Sequence, residues 1–210
     1  MAITTSTARI EQIVKTIATT CIENEAYFCE LDSAAGDGDF GYSLARGFEN
    51  VLDGWDDYDR SDPATFLLKV AMTMSSRIGG TSGPIWGTAF IRAAGAITGR
   101  TELSGSDAVA MLRAAIEGIK SRGGADVGDK TLLDALVPLT DAIAAELAAG
   151  GDAQSALKAG VAAAQGGVET TKLLQARRGR ASYTGERSIG SPDPGAVAVA
   201  VLAERISTSW

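Results

Sequence analysis

The sequence predicts an all-α protein, an eight-helix antiparallel up-and-down bundle or closed barrel. Alanine and leucine abound, runs of β-branched residues are few, and apolar residues recur at helical spacing from end to end. Eight such segments of similar length, joined by short connections, put neighbours in sequence side by side and antiparallel. The 210 residues are 45% hydrophobic, enough for a sizeable core, and one domain over 1–210 is expected.

The first helix is expected over residues 6–30, with Ile10, Ile13, Val14, Ile17, Cys21, Ile22 and Phe28 on one face. A second starts at Phe40 or Gly41 and buries Leu44, Phe48, Val51 and Leu52. The third, in "SDPATFLLKVAMTMSSRIGG", opens with Asp62 as N-cap and Pro63 at the first helical position and stops at Gly79-Gly80. "GPIWGTAFIRAAGAITGR" is a glycine-rich fourth, and residues 105–124 a fifth with Val109, Leu112, Ile116 and Ile119 on one face. The sixth covers 131–151 and is bent, if anywhere, at Pro138; the seventh covers 152–179; the eighth enters through Asp193-Pro194. Residues 180–195, "RASYTGERSIGSPDPG", are the longest stretch without a periodic pattern and read as a functional loop.

A net charge of −7 argues against nucleic acid, which requires a basic surface to displace counterions. The N-terminal segment mixes charges and hydroxyls into its apolar pattern, and no run approaches the ~18 apolar residues of a membrane span. A soluble protein with no membrane partner is expected. Cys21 and Cys29 would stand about 12 Å apart along one helix, too far to bridge, which suits reduced thiols and the cytoplasm. The chain contains no histidine, so any chemistry runs on acids, lysine, arginine, hydroxyls or a bound metal.

The densest chemistry lies in "ELDSAAGDGDFGYSLARGF", where Asp32, Asp37 and Asp39 alternate with glycines before a helix start. Two like charges about 4 Å apart cost on the order of 4 kcal/mol at an effective dielectric of about 20, so three carboxylates sharing a loop call for a cation. An all-oxygen set without histidine selects a hard ion. The calcium-loop pattern and its closing glutamate are missing, which leaves Mg²⁺. The plainer alternative is that Asp39 caps the following helix while Asp32 and Asp37 are solvated.

Three further stretches are candidates. "GGTSGPIWGTAF" offers the Thr81 and Ser82 hydroxyls and helix-start amides to phosphate, or else its glycines serve helix packing. "GGADVGDKT" fails as a P-loop because Asp129 separates Gly128 from Lys130 and no strand precedes it, leaving a turn that puts Gly123 or Lys130 near a ligand, or a surface turn. "ARRGRASYTGERS" crowds Arg177, Arg178, Arg180 and Arg187 into an otherwise acidic chain, either for forked binding of phosphate or as a solvated loop. Together these are the parts of a phosphoryl-transfer site.

In order along nearly the whole chain, "LDSAAGDGDFGYSLARGF", "GGTSGPIWGTAFIRAA", "SRGGADVGDKTLLDAL" and "ARRGRASYTGERSIGSPDPGA" resemble the signature blocks of the nucleotide-binding L subunit of dihydroxyacetone kinases. The resemblance implies an eight-helix antiparallel barrel holding ADP or ATP at one end through two Mg²⁺ ions. It implies Asp32, Asp37 and Asp39 as metal ligands, and Phe40, Gly41, Tyr42, Ser43, Thr81 and Ser82 at the phosphates. Gly123 and Leu132 fall at the adenine and ribose pocket, and Arg180 with the Asp193-Pro194-Gly195 turn at the remaining nucleotide contacts. A sugar held by a histidine on a separate K subunit would be the acceptor, a phosphohistidine protein of the phosphotransferase system a second partner, and a homodimer the expected assembly.

Two positions depart from the family pattern. Phe40 stands where histidine is usual, and Ser191-Pro192 where His-Gln is common; backbone contacts survive both changes, side-chain contacts do not. The acceptor could equally be another short ketose such as erythrulose. The nucleotide-binding domain of a fatty acid kinase and a non-catalytic nucleotide-dependent regulator are the alternatives, and "GRASYTGERS" argues for the sugar kinases.

Overall fold

The computed structural model describes residues 6–77 and 82–210, and every described element is helical. The α-helices are α1 (Ser6–Glu23), α2 (Glu25–Ser33), α3 (Phe40–Asp53), α4 (Pro63–Arg77), α5 (Ser82–Ala96), α6 (Gly105–Gly123), α7 (Leu133–Ala148), α8 (Ala153–Thr171) and α9 (Pro194–Ser209). Short 3₁₀ segments cover Trp55–Asp57 and Arg180–Ser188.

The helix expected over 6–30 is two helices, α1 and α2, which meet at Asn24. Its side chain donates to the Thr20 carbonyl at 2.8 Å, competing with the helical ladder as short amide side chains do. Cys21 and Cys29 therefore lie on different helices, both as free thiols, and burial pushes the Cys21 thiol up. The expected 152–179 helix ends at Thr171, and the first half of the expected loop is wound into 3₁₀ turns.

Helix starts follow the capping residues. Asp62 accepts from the Thr65 amide at 2.9 Å, Ser104 and Asp107 form a reciprocal capping box, and Asp152 accepts from the Ser155 amide at 2.7 Å. The Gly79-Gly80 stop lies outside the described residues.

From α3 onward each α-helix packs on the next in chain order, α1 packs on α3, and α9 returns to α1, so the order of contacts closes on itself. The main core joins α1 to α5 with α9 around fully buried Phe28, Leu44, Phe48, Phe66 and Met74. Each such side chain contributes about 1.5–3 kcal/mol by leaving water. A second cluster links α7, α8 and α9 through Leu139, Ile143 and Ala164, and a third sits between α6 and α7. No described helix is long and apolar enough to cross a membrane.

Candidate functional site

Asp32 lies in the last turn of α2, and the chain folds back over it. Its carboxylate accepts from the Gly38 amide at 2.9 Å. Gly38 has φ 77°, and a Cβ there would sit 2.6 Å from Ser33 Oγ, so the reversal requires glycine. The turn brings carboxylate oxygens of Asp32, Asp37 and Asp39 within 4.8 Å of one another, with Asp37 and Asp39 exposed. Asp39 occupies the N-cap of α3 but makes no side-chain cap bond, so its carboxylate is directed to the cluster. An all-carboxylate set of this span, open on one side, suits a hard divalent cation that also keeps phosphate oxygens or waters.

Arg180, 141 residues away from Asp39, closes the cluster: its Nη1 pairs with Asp37 and reaches Asp39 at 3.2 Å. At the first turn of α3 the Tyr42 amide donates to Cys29 Sγ at 3.2 Å and the Ser43 amide to the Asp39 carbonyl at 2.9 Å. The helix itself leaves the amides of Phe40 and Gly41 unpaired. The Phe40 ring packs into the main core, 6.0 Å from Phe28, so a role at phosphate falls to its backbone.

A second group forms around the 124–132 loop. Asp134 is buried and accepts from the Gly128 amide at 2.6 Å and the Thr131 amide at 2.8 Å, which folds the loop onto the start of α7. Leu132 is the N-cap residue of α7, and Gly195 comes against it so closely that a Cβ on Gly195 would lie 3.2 Å from the Leu132 Cβ. Asp193 caps α9 through the Ala196 amide at 2.8 Å, with Pro194 opening the helix. Desolvation pushes the Asp193 carboxyl up to about 7, while the Ala196 amide and the Lys130 cation oppose the rise. Gly123 ends α6 beside Ile85.

Residues 177–180 join the two groups. Arg178 Nε reaches Asp129 at 3.1 Å and the Arg177 amide donates to the Asp129 carbonyl at 3.1 Å, while Arg180 reaches the acids. The structure thus gathers Asp32, Asp37, Asp39 and Arg180 into one cluster and Leu132, Asp193 and Gly195 into a second. Ser82 opens α5; Thr81 lies outside the described residues. The glycine of the fourth predicted helix at position 87 serves packing, since a Cβ there would meet Ser75 on α4.

Sequence reasoning gave no role to Asp134, which folds its own loop through Gly128 and Thr131, or to Asp129 as the partner of Arg178, 49 residues away, an arginine it had assigned to phosphate or solvent. It read the 124–132 stretch as a turn with Gly123 or Lys130 near a ligand or as a surface turn, whereas the Lys130 ammonium turns inward. Two surface hollows, of ≈ 260 Å³ beside Tyr27, Val168 and Val201 and of ≈ 620 Å³ between α6 and α7, contain no acid-loop residue.

The DAK2 domain family matches residues 34–208. The "PEP-dependent dihydroxyacetone kinase, ADP-binding subunit DhaL" of Escherichia coli (strain K12) is 38% identical over 181 residues, 86% of either chain. The "L-erythrulose 1-kinase" of Mycolicibacterium smegmatis is 36% identical over 197 residues, which are 92% of this chain and 34% of the relative. The crystal structure of the dihydroxyacetone kinase from C. freundii in complex with AMP-PNP and Mg²⁺ superposes with a TM-score of 0.75 at 26% identity, over 96% of this chain and 34% of that one. The chain spans about a third of these two longer kinases.

Proposed function

The chain belongs to the DAK2 domain family, and from that premise we propose that it is the ADP- or ATP-binding, magnesium-dependent subunit of a dihydroxyacetone-type kinase. The observation that carries this reading is the convergence of Asp32, Asp37 and Asp39 with Arg180, which unites three acids with a guanidinium suited to transferred phosphoryl charge. The relative from E. coli is named an ADP-binding subunit and the C. freundii neighbour carries AMP-PNP and Mg²⁺, which supports a nucleotide and magnesium as the ligands.

Asp32, Asp37 and Asp39 would hold the magnesium, two ions in our reading, and bridge it to the nucleotide phosphates. Bound magnesium neutralises charge on the phosphate oxygens. The residues from Phe40 to Ser43, with Thr81 and Ser82, orient those phosphates by amides and hydroxyls. Gly123 and Leu132 line the adenine and ribose pocket, and the Asp193-Pro194-Gly195 turn, packed against Leu132, makes the remaining nucleotide contacts with Arg180. Arg180 exchanges its carboxylate partners for phosphate oxygens, a substitution of one anion for another that keeps its guanidinium paired.

These 210 residues contain no histidine to hold a ketose, so in this reading the acceptor is held by a K-type subunit or domain outside them. Dihydroxyacetone is the first acceptor to test and erythrulose the second, since a relative is an L-erythrulose 1-kinase. A phosphotransferase-system phosphocarrier is the candidate donor, a homodimer the candidate assembly and the cytoplasm the candidate location.

The test is calorimetric titration of nucleotide-stripped protein with ADP and ATP, each with and without Mg²⁺, repeated on Asp37→Asn. Magnesium-dependent binding that falls at least about tenfold in the variant, with helicity retained, is expected. Tight, slowly released ADP selects a phosphoprotein donor, and exchanging ATP a direct one. Equal affinity in wild type and variant removes the acid cluster from the site.

A further inference from the structure

Lys130 combines two local penalties. It is only 4% exposed, so its ammonium has left water, and burial pulls its pKa down against the opposing charges of Asp193 and Asp134. Its backbone lies at φ 61°, the one positive φ outside glycine among the described residues, a conformation that strains a residue with a Cβ. Packing alone rewards neither feature, and glycine at 130 would relieve both.

The ammonium turns away from solvent and ties three segments together. Nζ donates to the Thr171 carbonyl at 2.5 Å, capping the end of α8, and to the Ser191 carbonyl at 2.6 Å. Thr171 in turn accepts the Asp193 amide on its hydroxyl at 2.9 Å. Two residues after Lys130 comes Leu132, against which Gly195 is packed. The buried cation therefore anchors both sides of the Leu132–Gly195 contact, whereas its recorded hydrogen bonds go to Thr171 and Ser191 and none to the acids at 32, 37 and 39.

We propose that Lys130 is a positioning residue for the base and ribose end of the nucleotide, pinning the 124–132 loop to the end of α8 and to the Ser191–Gly195 turn. It touches no ligand itself. This rests on the nucleotide-binding function proposed above. The strained backbone and the desolvated ammonium are tolerated because together they hold two recognition segments at one spacing. The lysine acts on one end of the nucleotide and the acids on the other, so the two ends are separable.

The test titrates the full chain with Mg-ADP and with Mg-pyrophosphate, which keeps the phosphate and metal chemistry but has no base or ribose. In Lys130→Met, Mg-ADP affinity falls about tenfold or more while Mg-pyrophosphate affinity stays within about twofold of wild type. A lysine that only supports the fold would lower the thermal midpoint and move the two affinities together. Parallel loss, or no change in either affinity, overturns the proposal. Should Lys130→Met not fold, Lys130→Gln, which keeps a donor for one carbonyl, is measured in the same way; failure of both to fold assigns the lysine to structure and also overturns it. Wild-type protein that does not bind Mg-ADP refutes the underlying functional reading instead, a distinct result.

Discussion

Asp39 and Asp193 both stand at helix N-caps, but only Asp193 uses its carboxylate there. A helix start with its capping acid diverted to a cluster indicates that the acid serves something other than the helix. Its pairing with Arg180 leaves every partner about half exposed, so the pair adds at most about 1 kcal/mol and is readily exchanged for a metal and phosphate. Asp193 makes the pH prediction. With a folded-state pKa of about 7 against an unfolded value of about 3.9, the folded protein binds more protons in between. Its contribution to stability therefore declines as pH rises from about 4 to about 7 and is level above. Asp193→Asn keeps an equally good cap and removes that decline. Urea midpoints of wild type and variant at pH 5, 6, 7 and 8 should converge at low pH and separate upward in favour of the variant; parallel curves would refute the assignment. Lys130 and Asp134 are the neighbouring charges and are unchanged in the comparison.

Helix packing turns on matched exceptions to ordinary helix rules. α7 runs unbroken through Pro138, which has no N–H to give the Asp134 carbonyl four residues earlier. Gly167 of α8 fills that place, and a Cβ on it would lie 2.1 Å from the same oxygen and 2.9 Å from the Ala135 Cα. Those are backbone atoms, so Gly167→Ala must separate α7 from α8. A loss of about 1–3 kcal/mol in urea denaturation, with helicity retained, is expected; an unchanged midpoint would mean that the two helices have slack. The end of α8 is also a matter between elements: its periodic pattern continues past Thr171, where the carbonyl accepts both the Leu174 amide and the Lys130 ammonium from another loop.

Over the whole molecule, helices packed in chain order with α9 back on α1 bring loops 34–39, 124–132 and 172–193 together, with residues 177–180 of the last bridging the first two. A ligand shared by these loops stabilises the fold by mass action. At a hundredfold excess over its Kd, Mg-ADP should add about 2.7 kcal/mol. For a chain of this size that is a rise in Tm of roughly 5–10 °C. Calorimetry with Mg-ADP, with ADP in EDTA and with Mg²⁺ alone should show the full rise only in the first; equal rises with ADP in EDTA would separate nucleotide binding from the acids.

The sequence by itself determined the helical class, most helix starts and the acid loop, because capping, periodicity and the charge repulsion of three neighbouring carboxylates act within a few residues. Asp62 and Asp193, each followed by proline at the first helical position, were legible at helix starts for that reason. The tertiary structure alone decided that Arg180 meets Asp37 and Asp39, that Phe40 turns to the core, that Asp129 holds Arg178, and that Lys130 points inward to the end of α8. Each of those outcomes depends on partners tens of residues away, whose distance is set by how the helices pack and by no local preference of the chain.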